Sequence, residues 1–215
     1  MAGPVAIGED ELRRGLAALS LDEALAPALL AYRDLLVRWN RVYNLSAVRD
    51  PAAMVPRHLL DSLAVLPWLA PGPLLDVGTG PGLPGIPIAL AQPQRAVTLL
   101  ESNGKKIRFL RQACLELRLD NVTLAPERLE AHQAATPYAL AICRAFSDAA
   151  GFWHGVARLL APQGRALAMK GRPHGEALAG LEQAGVSCHW QPLVVPGLDA
   201  ERHLLIMNAA SPVTG

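Results

Sequence analysis

Two hydrophobic rhythms divide the chain. Up to about residue 71 apolar positions recur at helical spacing, and beyond it short apolar runs alternate with helical stretches. Leu25, Leu29, Tyr32, Leu36 and Trp39 share one face of a predicted helix. Ser20-Leu-Asp-Glu23 reads as its capping box, with Ser20 as N-cap and Glu23 three residues on. Pro27 must kink this helix or mark its true start. Asp50-Pro51 is a second start signal, a capping side chain followed by proline at the first helical position. The helix it opens carries His58, Asp61 and Ser62 and ends near Pro67.

In the second part, strands are predicted at 73–77, 97–100, 122–125, 138–143, 165–169, 188–195 and 203–207. Helices are predicted at 86–91, 105–117, 152–160 and 176–184. Strand-helix alternation builds βαβ units, hence a parallel sheet covered on both faces. The last two strands have only Pro196-Gly197 and a few neighbours between them, so they pair antiparallel. The reading is an α/β chain with a helical extension, residues 1–71, packed on a Rossmann-like domain, residues 72–215.

Composition narrows the function classes. Of 215 residues, 51% are hydrophobic and 18% charged, enough for a packed core. Twenty Lys and Arg against 19 Asp and Glu leave a net charge of +1. That excludes a polybasic binder, whose affinity rests on many cations, but leaves room for a local basic patch. No apolar stretch approaches the roughly 20 residues of a membrane span. Met1 to Asp10 has neither a basic nor an apolar signal region. Cys114, Cys143 and Cys188 make no CxxC pair, which fits a cytoplasmic protein without disulfides. The histidines show no ligand spacing, so no metal is expected.

The chemistry concentrates in Leu74-Leu-Asp76-Val-Gly78-Thr-Gly80-Pro-Gly82-Leu-Pro-Gly85. A strand enters, a glycine loop turns, and a helix leaves. Glycine admits positive φ and lets a ligand approach the backbone. Asp76, two residues before Gly78, can accept from an ammonium group, directly or through water. Beside a pyrophosphate it would be repelled, which favours S-adenosylmethionine over a dinucleotide. Gly78, Gly80 and Gly82 after an acid form the methyltransferase version of this loop. Glu101, ending the next strand, is placed to accept ribose hydroxyls from either cofactor.

Seven strands with a terminal antiparallel hairpin are the layout of class I methyltransferases. Several motifs then occur in order: Trp39-Asn-x-x-x-Asn44-Leu-Ser, His58-x-x-Asp61-Ser62, Asp76 to Pro87, Lys105-Lys-x-Arg-Phe-Leu110, Arg144-Ala-Phe, Lys170-Gly and Glu201-Arg202-His203-Leu. Together they closely resemble the RsmG (GidB) family, which methylates N7 of a guanosine in bacterial 16S ribosomal RNA. The resemblance runs from about residue 20 to residue 208. It implies that Gly78 and Leu83 contact S-adenosylmethionine from the loop and that Glu101 holds its ribose. It implies that Leu129 and Glu130 flank the adenine, and that Arg144 lines both the cofactor and target-base pockets as the catalytic residue. Asn44, His58, Arg128, Lys170 and Arg202 match family positions around the RNA-facing site. The implied partner is the small ribosomal subunit or its precursor.

Independent of the resemblance, Arg144 and Lys170 each follow a strand end, where α/β sheets place ligands. His58 and Asp61, three apart on a helix, share a face. Lys105, Lys106, Arg108, Arg111 and Arg118 make a basic helix, either a solvated face or a phosphate contact. Trp39 reads as core. Cys143 sits beside the active edge, but the Pro-Cys pair of cytosine-C5 enzymes is absent, as is the Asn/Asp-Pro-Pro-aromatic motif of exocyclic-amine methyltransferases. Two other readings remain at this point. A nicotinamide-dependent oxidoreductase shares the glycine loop, and a non-catalytic RNA-binding module could share the fold.

Overall fold

The computed structural model describes residues 8–144, 148–173 and 178–209. The predicted helix start at 176 and the Ala145-Phe146 part of one motif lie outside them. Four helices come first: α1 (Glu9–Ala18), α2 (Ala26–Tyr43), α3 (Pro51–Met54) and α4 (Asp61–Leu63). Then follow β1 (Leu74–Val77), α5 (Gly85–Ala91), β2 (Val97–Leu100), α6 (Gly104–Leu117), β3 (Val122–Ala125) and β4 (Tyr138–Arg144). The chain continues with α7 (Ala149–Val156), β5 (Leu160–Lys170), α8 (Ala179–Gln183), β6 (Val186–Leu193) and β7 (Arg202–Ala209). The strands form one sheet in the order β3-β2-β1-β4-β5-β7-β6. The first five run parallel to one another, and β7 lies antiparallel to both β5 and β6. Among the described residues no helix is long and apolar enough to cross a membrane.

Strand parity decides what each face carries, because successive side chains point to opposite sides. Leu140, Ile142, Leu167, Leu204 and Ile206 join the core beneath α1 to α6, which also contains Leu12, Leu29, Leu36 and Phe109. Ala141, Cys143, Ala168 and Leu205 join the other core, beneath α7 and α8. Arg144, Met169 and Arg202 are in phase with the first set. They therefore project toward the N-terminal helices from the ends of β4, β5 and β7.

Of three local expectations, two need correction and the one for Pro27 holds. The capping box at Ser20 does not form: Ser20 has φ 57°, and Asp22 instead caps a short 3-10 turn by accepting from Ala24 N. Pro27 marks the start of α2, sitting in its first turn where no intrahelical N–H is required. Asp50 caps α3 as expected, but the helix it opens is not uniform. Residues Val55–Leu60 widen into a π-helical turn at Pro56. Proline has no N–H to donate and its ring crowds the preceding turn, and a wider turn relieves both problems.

Candidate active site

The glycine loop is braced from three sides. Asp76 is fully buried, and its Oδ2 accepts from Thr79 Oγ1 and from Gly85 N at 2.7 Å. Burial pushes its pKa up to about 6, against the pull of those two hydrogen bonds. The Asp76 carboxylate thus holds the loop's own donors and has no open face toward a ligand. Only Oδ1 lacks a partner among the described residues. From outside, Tyr32 on α2 donates its hydroxyl to Pro81 O at 2.7 Å. Glu101 Oε2 accepts from Gly80 N at 3.1 Å and from Lys106 Nζ at 3.3 Å, while Oε1 accepts from Asn103 N at 2.8 Å.

The glycines divide into two kinds. Gly78 and Gly80 both have φ +63°; a Cβ on Gly78 would meet nothing within 4 Å, and one on Gly80 only Gly78 O at 3.9 Å. They open onto free space at the end of β1. Gly85 faces inward, where a Cβ would lie 2.2 Å from Leu99 Cδ2 and 2.7 Å from Asp76 Oδ2. The open cradle at Gly78 and Gly80, with Glu101 beside it, fits the amino-acid and ribose ends of S-adenosylmethionine, while Asp76 acts only through the loop it braces. The Leu83 side chain is 2% exposed and belongs to the core, so only its backbone can serve a ligand. Leu129 packs against α7 at Gly155, and the Leu129 and Glu130 carbonyls accept from Arg158 Nη2.

Beside this loop lies a cleft of about 860 Å³, walled by residues 56–61 on one side and by Arg144, Met169, Lys170, residues 197–200 and Arg202 on the other. Its organising group is Asp61, 2% exposed. Arg202 Nε donates to Asp61 Oδ1 at 2.9 Å, and Arg144 Nη1 approaches Oδ2 at 3.5 Å and Arg57 O at 3.2 Å. Burial holds the Asp61 carboxyl above the usual range, with the Arg144 and Arg202 guanidiniums opposing. Register explains the convergence: Arg144 pairs with Met169, and Met169 with Leu204, two residues from Arg202. Asp61 was expected only as the helical companion of His58, and its pairing with two arginines was not. Its signal was an acid on an otherwise apolar helical face.

His58 is the cleft's other buried polar side chain. Its Nδ1 lies 2.9 Å from Arg57 O, which can only accept, so Nδ1 carries the proton. Nε2 then accepts from Ser46 Oγ at 2.8 Å. Burial, then Arg144, push the His58 pKa down to about 4. The unfolded imidazole titrates near 6.5. Above that pH both states are neutral and no cost arises. As pH falls toward 4 the unfolded chain takes up the proton first, so stability drops, by up to about 3 kcal/mol. His58→Gln keeps an acceptor for Ser46 and should flatten this segment of the stability curve. Urea unfolding at pH 7, 5.5 and 4.5 measures it; an unchanged slope would assign the acid sensitivity elsewhere.

Two expected residues stand outside the cleft. Asn44 is exposed at the C-terminal end of α2, with φ 50°, and accepts from Arg49 at 2.8 Å. Arg128 is exposed on the loop after β3. Cys143 is 1% exposed and packs under α7, on the sheet face away from Arg144 and the cleft. Trp39 packs edge-on against Phe109, as core. Among the described residues no cluster of His, Cys, Asp and Glu could hold a metal ion.

A family model described as rRNA small subunit methyltransferase G, GidB, matches residues 26–205. The chain belongs to this family. Over 199 residues it is 53% identical to the ribosomal RNA small subunit methyltransferase G of Xanthomonas oryzae pv. oryzae (strain MAFF 311018), covering 93% of this chain and 94% of that relative. It is 50% identical over 191 residues to the protein of the same name in Alkalilimnicola ehrlichii, covering 89% and 87%. Among solved structures, the glycopeptide N-methyltransferase MtfA complexed with S-adenosylmethionine superposes with TM-score 0.60 at 14% identity, over 72% of this chain and 88% of that one. A precorrin-6y C5,15-methyltransferase from Geobacter metallireducens gives 0.52 at 15%, over 79% and 92%. At such identities the likeness is one of fold, that of class I methyltransferases. The GidB match covers α2 to β7, so loop and cleft both lie inside it.

Proposed function

We propose that this chain transfers a methyl group from S-adenosylmethionine to N7 of a guanosine in small-subunit ribosomal RNA, in the cytoplasm. The observation that carries the reading is the family match across both the glycine loop and the arginine-lined cleft. In this reading Gly78 and Gly80 leave room for the amino-acid portion of the cofactor, Glu101 would exchange a present partner for the ribose hydroxyls, and Leu129 and Glu130 would flank the adenine, as the family resemblance implies. When bound, the cofactor supplies an electrophilic methyl group on a sulfonium.

The cleft suits a nucleophile that needs no base. Guanine N7 carries an in-plane lone pair and no proton, so the chain's task is to position it. Good positioning is worth effective molarities of roughly 10⁵–10⁸ M. The two buried titratable groups of the cleft wall are both engaged: His58 through both ring nitrogens, Asp61 between two arginines. Arg144, held by Asp61 and the Arg57 carbonyl, presents a planar donor to the base where loop and cleft meet. Lys170, at the end of β5, also lines the cleft. A thiolate mechanism finds no support, since Cys143 points into the opposite core.

Two measurements test this. Calorimetry should show binding of S-adenosylmethionine and none of a nicotinamide dinucleotide. Small subunits incubated with the radiolabelled cofactor should gain one label, and mapping should place it at guanine N7. A label on cytosine, or on a free unstructured oligonucleotide as readily as on the subunit, would overturn the assignment.

A further inference from the structure

Beyond the cleft rim, a line of cations continues along the surface formed by α2 and α6. Arg41 and Arg49 border a dent of about 140 Å³ with Asn40 and Pro51, directly after Val48 of the cleft wall. Arg49 holds Asn44 at 2.8 Å. The neighbouring Tyr43 carries the Arg108 guanidinium 5.7 Å from its ring centroid. Lys105, three residues before Arg108 on the exposed side of α6, continues the line. Lys106 next to it reaches Glu101 at the cofactor edge. A shared pocket, two contacts, chain neighbours and one helical spacing thus link the strip from the cleft rim to Glu101 beside the glycine loop.

Three features suit it to phosphate. It contains four exposed cations, although the whole chain carries a net charge of only +1. Among the described residues neither Arg41 nor Lys105 has an acidic partner. The acids that flank the strip are already engaged: Asp50 caps Ala52 N, Glu116 pairs with Arg38, and Glu101 takes Gly80, Asn103 and Lys106. Guanidiniums spaced along a surface and free of carboxylates match the backbone of a nucleic-acid strand, not a protein's mixed charges.

We propose that this strip of Arg41, Arg49, Arg108 and Lys105, with Asn44 between them, is a second RNA contact. It grips phosphates of the strand flanking the target guanosine and leaves the base to the cleft. The inference rests on the functional reading above. It also gives Asn44 a place, on the RNA path and not in the base pocket.

Arg49→Glu and Arg108→Glu test it, with Arg165→Glu as the matched control. Arg165 is an exposed cation at the opposite end of the sheet, where β5 pairs with Leu140. Retention of purified small subunits is measured over a range of salt, alongside cofactor affinity by calorimetry and methylation kinetics. The expected result for each strip variant is about 3- to 10-fold weaker subunit binding, with KM rising in step and kcat and cofactor affinity unchanged. The slope of log affinity against log salt should shrink by about 0.7–0.9 for each phosphate that is no longer neutralised. Binding no weaker than in Arg165→Glu overturns the proposal. Weaker binding with an unchanged salt slope also overturns it and assigns the strip to a ribosomal protein. Subunit retention is read without turnover, so a wild-type chain that failed to methylate would reject the functional reading and leave this test intact.

Discussion

Arg144→Ala should lose at least about 100-fold in kcat on small subunits, the scale of removing one preorganised donor from a site. The side chain leaves β4 on the face shared with Met169 and Arg202 and is fixed by Asp61 and the Arg57 carbonyl. Arg144→Lys should recover only part of the loss. Lysine keeps the charge but cannot present a planar fork to Asp61 and a base together. Cys143→Ser is the internal control. Its side chain lies in the other core, so it should keep substantial turnover, at a packing and desolvation cost of about 1–2 kcal/mol. Methyl transfer is measured at matched folded concentrations. A dead Cys143 variant beside a normal Arg144 variant would require a covalent pyrimidine mechanism instead.

The second large effect separates a ligand glycine from a packing glycine. Gly80→Ala adds a methyl group to open space, so its penalty to the fold is the positive φ alone, about 1–2 kcal/mol. Valine there would add the larger strain of a β-branched residue at φ +63° and blur the result. Affinity for S-adenosylmethionine should fall at least tenfold in Gly80→Ala. Gly85→Ala should do the reverse in kind: its Cβ collides with Leu99 and Asp76, costing about 1–3 kcal/mol of stability. Calorimetry and urea unfolding on both variants tell them apart. Undiminished cofactor affinity in Gly80→Ala would remove the 78–80 cradle from the binding site.

The sheet was legible because buried parallel strands are short apolar runs between glycine and proline signals. Those at 97–100 and 122–125 have the expected limits, and the others differ mainly at their ends. Helix α1 was not legible. Glu9–Ala18 buries only Leu12, Gly15 and Leu16, and its N-cap is Gly8 with no side-chain bond. Gly15 looks like a breaker, but a Cβ there would meet Leu60 at 2.3 Å, so glycine serves helix packing. Ser20 imitates a cap because Ser and Glu at that spacing carry no information about φ. In the site, Arg144, Lys170 and Arg202 were legible as charges at strand ends. Asp61 was legible only as the neighbour of His58 on one helical face, because its role depends on two arginines 83 and 141 residues away. The same limit applies to Tyr32, whose hydroxyl meets the glycine loop 49 residues on.

That long reach also ties the cleft to one edge of the sheet. Asp61 belongs to the N-terminal helices, and Arg202 to β7, which is seated between β5 and β6. Without β7 Asp61 would lose its guanidinium partner at 2.9 Å, and the cleft one of its walls. The glycine loop takes its braces from Tyr32, Asp76 and Glu101, none of them on β6 or β7. Loosening of the β6–β7 hairpin would therefore open the arginine-lined cleft and leave the braces of the loop in place.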